Sequence, residues 1–230
     1  MSTTDLESPK PTKGQQTKTL ILETALELFR ERGYEQTTMR DIAEKAGVAL
    51  GNTYYYFRSK EHLIQAFYYN THEEHLAACI PILEKERTLK ARLLGVIKAK
   101  QAVIEPYHQF AGVLFRTAAD PKSPLNPFSE ESLETRRQST EIFAQVIQGA
   151  RLRIAIPKDL YAELPDLLWV YSMGIVLFWI HDNSPNRIRT HRLIEHTVDI
   201  VAKLITVATV PLLRSLTKKT LALLASFREN

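Results

Sequence analysis

Residues 37–60, TTMRDIAEKAGVALGNTYYYFRSK, constrain the fold more than any other stretch: they encode a helix, a glycine turn and a second helix too short to bury itself. Thr38 with Asp41 three residues on is a capping-box start, a hydroxyl satisfying free backbone N–H groups while an acid suits the positive helix end. A helix therefore begins near Met39, and Ile42, Ala43 and Ala46 give it one small apolar face. Gly47 supplies the positive φ at which the helix stops before Val48 turns inward. An alanine four residues before the turn glycine is what two crossing helices require, since a larger side chain at Ala43 would push the second helix away. This spacing is a helix-turn-helix signature.

The second helix, residues 50–57, opens on Leu50, Gly51, Asn52 and Thr53 and continues into Tyr54, Tyr55, Tyr56 and Phe57. In helix-turn-helix proteins the start of this helix enters the DNA major groove, where asparagine pairs with adenine and tyrosine hydroxyls reach phosphates. The expected DNA-binding set is Thr38, Arg40, Leu50, Gly51, Asn52, Thr53, Tyr54, Tyr55 and Lys60, with readout from Leu50 to Tyr55 and phosphate grip from Thr38, Arg40, Tyr54 and Lys60. Tyr56 and Phe57 equally read as packing.

The order RDIAEKAGVALGNTYYYFRSKEHL resembles the DNA-binding signature of the TetR (AcrR-like) family of transcriptional regulators, and the resemblance covers residues 18 to about 63. The preceding TKTLILETALELFRERGYEQTT is similar to that family's first helix, with Ile21, Ala25, Leu28 and Phe29 on one face, Gly33 ending it and Tyr34 docking back. The resemblance implies a dimeric, ligand-responsive repressor. Ala49 stands where a serine or threonine often caps the recognition helix, and Thr53 where a larger aliphatic residue often packs inward. A missing cap costs only about 1 kcal/mol, so the fold assignment stands.

The chain has 230 residues, 44% of them hydrophobic, which suits two helical domains. The expected fold is all-α: a flexible basic arm over residues 1–16, a three-helix DNA-binding domain over 17–63, and a larger helical effector-binding and dimerisation domain over 64–230. Later helices are expected over 60–84, 89–105, 107–119, 129–152, 158–181 and 187–210, with a further piece after Pro211. Residues 120–127, DPKSPLNP, hold three prolines and read as an irregular loop. The polar N-terminus lacks the apolar run of a signal peptide, and the single Cys79 excludes an internal disulfide framework, so a cytoplasmic protein is expected.

The net charge of +4 is not concentrated in the DNA-binding segment, where residues 18–60 carry seven basic side chains against six acidic ones. Affinity for a double-stranded operator must then come from geometry, two heads matched to two half-sites. Residues 167–180, LLWVYSMGIVLFWI, are apolar all round yet shorter than the ~20 residues of a membrane span, and read as a buried helix with no membrane partner. Ile194, Val198, Val201 and Ile205 repeat at helical spacing in the last helix. A homodimer through the last two long helices, about 166–181 and 187–210, follows as a four-helix bundle.

A small, largely apolar effector is expected against Tyr107, Phe110, Phe115, Phe143, Trp169 and Met173, with polar groups from Tyr107, His108, Arg116 or His181. The same aromatics read as plain core. Two alternatives compete: a metal-sensing regulator using His72, His75 and Cys79, which fall at i, i+3 and i+7 on one helical face, and a helical interaction protein that does not bind DNA. No nucleophile elbow, phosphate-cradling glycine loop or paired carboxylates appear, so no enzyme, no catalytic residue and no cofactor is expected.

Overall fold

The computed structural model describes residues 12–123, 125–152 and 156–208. Most of the expected arm, the end of the last helix to Val210 and the piece after Pro211 lie outside them. The described secondary structure is entirely helical, and the chain divides into two compact units, Met1–Tyr68 and Tyr69–Asn230.

In the first unit α1 spans Lys13–Arg32. Its start corrects the expected arm: Thr12 accepts from the Gln15 N–H at 3.3 Å while the Gln15 side chain accepts from the Thr12 N–H at 2.8 Å, so residues 13–16 are the first turn of a helix. Ile21, Ala25, Leu28 and Phe29 are buried, Gly33 ends the helix at φ 87°, and the Tyr34 ring packs edge-on against Phe29 at 5.1 Å. Helix α2, Met39–Lys45, starts at a reciprocal Thr38/Asp41 capping box. Gly47 takes φ 65° and the Val48 N–H reaches the Ala43 carbonyl at 3.0 Å, closing the turn into α3, Leu50–Tyr56. Phe57, Leu63, Ile64 and Phe67, the last three from the start of α4 (Lys60–Lys85), are buried in this unit.

The second unit holds the remainder of α4, then α5 (Leu89–Ile104), a 3-10 turn (Glu105–Tyr107), α6 (His108–Ala119), α7 (Leu133–Gln148), α8 (Lys158–Ile180), a second 3-10 turn (Pro185–Arg187) and α9 (Ile188–Ala208). Helix α7 is shorter than expected because residues 129–132 belong to the turns that follow the proline-rich loop. One core joins Leu93 and Val96 of α5, Phe143 and Val146 of α7, Leu168 of α8 and Ile194 and Val198 of α9. At 23 residues α8 is long and apolar enough to cross a membrane, so the length argument drawn from its apolar stretch does not hold. One of its faces instead builds this core through Leu160, Leu164, Leu168 and Trp169.

Arg92 is the unexpected member of that core, only 3% exposed. Its guanidinium donates to the carbonyls of Leu83 (2.6 Å), Glu86 (2.7 Å), Gln145 (2.8 Å) and Val146 (3.0 Å), the ends of α4 and α7. A side chain at residue 149 would collide with this clamp, since a Cβ on Gly149 would run into the Arg92 guanidinium.

Candidate functional site

Two features of the first unit set what α3 can present. The crossing of α2 and α3 is fixed by buried Ala43 and Ile42, and α3 is under two turns long, so its outer face is free by default. Ala49 caps α3 without any side-chain hydrogen bond. Gly51, Asn52, Tyr54 and Tyr55 are exposed, Tyr55 at 80%, and Leu50 is half-buried. A Cβ at Gly51 would meet nothing within 4 Å, so this corner of α3 offers close backbone approach to a partner. Arg40 is exposed on the first turn of α2.

Three side chains of the expected DNA-binding set are turned inward or engaged within the protein itself. Thr53 points into the unit, fully buried, and its hydroxyl has no hydrogen-bond partner. The Thr38 hydroxyl is spent within its capping box, accepting from the Asp41 N–H at 3.1 Å and donating to the Asp41 carboxylate at 2.7 Å. Those same contacts hold the Asp41 carboxyl below its ordinary pKa. The Lys60 ammonium folds back, donating to the Tyr34 carbonyl at 2.7 Å and sitting 4.3 Å from the centre of the Tyr34 ring. Asn52, Tyr54, Tyr55 and Arg40 remain as outward-facing groups.

An unpaired buried hydroxyl is a cost that an isosteric methyl removes. Thr53→Val should therefore raise stability by about 1 kcal/mol and leave operator affinity unchanged. Calorimetric melting together with an operator titration checks both, and a loss of DNA selectivity in this variant would return Thr53 to the base-reading set.

In the second unit the described members of the expected effector set are divided between core and surface. Phe143 and Trp169 are buried in the core with Met173 packed against them, and Phe128 meets the Trp169 ring edge-on at 5.5 Å. Tyr107 is half-buried in the first 3-10 turn, Phe115 is exposed on α6, and the Phe110 side chain lies outside the described set. A groove of about 660 Å³ opens between α4 and α7. Its apolar wall is Leu76, Cys79, Ile80, Leu83 and Ile142, with Gln138, Gln145 and Arg92 among its polar groups. The signal for it was in the sequence: Leu76, Ile80 and Leu83 make an i, i+4, i+7 stripe on which Ile80 stays exposed.

The metal-sensing alternative fails on the same helix. His72 is buried with Nε2 donating to the Gln138 side-chain oxygen Oε1 at 3.1 Å and Nδ1 meeting the Ser139 hydroxyl at 3.3 Å. His75 donates from Nε2 to the Val96 carbonyl at 3.0 Å. Burial, helped by the nearby Lys100 charge, pushes the His75 imidazole down to about 4, and burial pushes the Cys79 thiol up to about 12. Among the described residues no three His, Cys, Asp or Glu side chains converge to hold a metal ion.

A capped helix, a positive-φ glycine and a short helix with a polar, outward start define a helix-turn-helix DNA-binding protein. A family model described as "Bacterial regulatory proteins, tetR family" matches residues 21–67, and one described as "Tetracyclin repressor-like, C-terminal domain" matches residues 92–223. The chain belongs to the TetR family of transcriptional regulators. It is 29% identical over 154 residues to the HTH-type transcriptional repressor KstR2 of Mycobacterium tuberculosis, covering 65% of this chain and 76% of that one. It is 43% identical over 63 residues to the HTH-type transcriptional regulator TtgR of Pseudomonas putida, covering 27% and 30% of the two chains. In fold it is similar to a TetR regulator from Nitrosomonas europaea, with TM-score 0.65, 17% identity and coverage of 81% and 98%. It is also similar in fold to FadR of Bacillus subtilis, crystallised with stearoyl-CoA, with TM-score 0.61, 18% identity and coverage of 78% and 96%.

Proposed function

We propose that this regulator is a cytoplasmic, homodimeric repressor that leaves a palindromic operator when a small, largely apolar effector enters the α4–α7 groove. The observation that carries the DNA half of this reading is α3: a short helix held by a packed turn, with Asn52, Tyr54 and Tyr55 facing outward. The groove and the apolar wall on α4 support the effector half, as does the stearoyl-CoA bound by the structurally similar FadR. Two heads rest in successive major grooves about one helical turn apart. Helix α4 runs as one element from Lys60 to Lys85, so its far end forms the groove wall while its beginning belongs to the DNA-binding unit. A ligand releases DNA only if it binds the released state more tightly, and the α4 segment along the groove is where that difference arises.

The test is a titration of the purified protein against the DNA upstream of its own gene at moderate salt. Sequence-selective binding is expected, and Asn52→Ala should weaken it by about 1–3 kcal/mol while binding to random DNA and thermal stability hold. No selective binding would remove the repressor reading, and an unchanged operator affinity in Asn52→Ala would remove the assigned base contact.

A further inference from the structure

One end of the α4–α7 groove is built on the Arg92 guanidinium. His72 of α4 meets Gln138 and Ser139 near the start of α7, while Arg92 ties the carbonyls of Leu83 and Glu86 to those of Gln145 and Val146 near the helix ends. The two helices therefore run side by side in the same direction. The groove lining follows that order, from Leu76 and Gln138 at one end to Leu83, Gln145, Gly149 and Arg92 at the other.

A guanidinium carries five N–H donors. Nε serves Val146, Nη1 serves both Leu83 and Glu86, and Nη2 serves Gln145, which leaves one N–H of Nη2 with no acceptor among the described residues. The side chain is only 3% exposed, and the groove it lines is that donor's route to a partner. Gly149 lines the same end, and a Cβ there would run into Nη2, so the missing side chain keeps this nitrogen uncovered.

One spare donor suits one neutral acceptor. A carboxylate taken out of water needs several donors, and the charged lining has no positive surplus to offer it. Arg137 is spent on Glu134 through hydrogen bonds of 2.9 and 2.8 Å, and the two guanidiniums of the lining are matched by two carboxylates, Glu84 and Glu141. We infer that Arg92 Nη2 donates to the neutral carbonyl oxygen, of a ketone or an ester, in an effector whose apolar body lies along Leu76, Ile80, Leu83 and Ile142. This rests on the groove being the effector site, as proposed above.

The probes are 2-octanone, octanoate and 1-octene, chains of equal carbon number that carry a neutral acceptor, an anion and no acceptor. Each is titrated calorimetrically into the full-length protein and its variants at neutral pH. 2-Octanone should bind at least about tenfold tighter than octanoate, because one donor leaves most of a buried anion's lone pairs unsatisfied. The infrared C=O stretch of bound 2-octanone should lie below its value in hexane, as a hydrogen bond requires. Arg92→Lys spends its donors on the helix ends, and Gly149→Ala displaces the guanidinium. Each should weaken 2-octanone by about tenfold, the worth of a hydrogen bond to a charged group, and return the stretch to its hexane value while 1-octene binds as before. Melting curves show whether each variant is folded at the titration temperature, and the stretch in the parent tests the bond without any variant. A parent stretch at the hexane value, or an affinity and stretch unchanged in both variants, overturns Arg92 as the donor. Octanoate binding as tightly as 2-octanone overturns the neutral class. Either result leaves the groove as the effector site so long as Leu76→Trp, which fills it, weakens the probes. Probes that ignore Leu76→Trp, or that do not bind at all, overturn the groove and the carbonyl assignment together.

Discussion

Leu204→Glu is expected to leave the protein folded but monomeric, with operator affinity lower by about a hundredfold or more. Helix α9 is apolar on two faces. Ile194, Val198, Ala202 and Ile205 enter the core, while Ile200, Leu204 and Val207 repeat at i, i+4 and i+7 on the outside, Ile200 55% and Leu204 61% exposed. Helix α8 shows a similar outer strip of Val170, Leu177 and Phe178, with Gly174 open to close approach. In the proposed homodimer an isologous four-helix bundle of these strips would cover both, and a glutamate at Leu204 would enter such an interface twice. Because Leu204 makes no core contact, the monomer's melting point should stay within a few degrees of the parent. Joining two weak half-site contacts multiplies affinity by roughly 10² to 10⁴, which sets the size of the loss. The slope of affinity against salt should also halve, since half the phosphate contacts remain. Sedimentation with an operator titration at two salt concentrations checks this. A variant that stays dimeric and keeps its operator affinity would place the interface on another face.

The helices were legible because their signals are local. The Thr38/Asp41 box, the Gly47 turn and the repeat of Ile194, Val198 and Ile205 depend on neighbours within one or two turns, and the structure keeps all three. Side-chain direction was less legible, because it depends on partners far along the chain. In a helix as short as α3, a period of 3.6 residues does not say which face is inside, so Thr53 read as a base contact although it is fully buried. Lys60 read as a phosphate ligand because its partner, the Tyr34 carbonyl, lies 26 residues upstream. His72, His75 and Cys79 do share a face of α4, as their spacing required. That face meets Val96 of α5 and Gln138 of α7, and so becomes packing. Phe143 and Trp169 were consumed by the core, whereas the groove formed from ordinary leucines and isoleucines on α4 that no aromatic count would single out.

Arg92 is the case least visible in sequence, and its removal should be the largest blow to stability. It reads as one of many surface cations on α5, yet it is buried and its guanidinium serves the final turns of two helices. Helix C-termini present carbonyls without intrahelical donors and carry the negative end of the macrodipole, so one cation there satisfies four acceptors and meets two favourable dipoles. No carboxylate is needed to hold the charge. Arg92→Met keeps much of the volume but removes the guanidinium from those carbonyls, of which Gln145 alone is seen to keep a backbone donor, the Gly149 N–H, at an expected cost of about 3–5 kcal/mol. That is a large share of the 5–15 kcal/mol typical of a folded domain and corresponds to a melting point lower by about 10 °C. Arg92→Lys should recover only part of the loss, because an ammonium has three donors and cannot span both helix ends as the planar guanidinium does. Gly149→Ala tests the same clamp from the other side, since its Cβ would meet the guanidinium and force it from place. Thermal melts should therefore rank the parent above all three variants, with Arg92→Lys above Arg92→Met and Gly149→Ala below the parent. A melting point for Arg92→Met within 2 °C or so of the parent would mean that water or rearranged helix ends replace the clamp without loss.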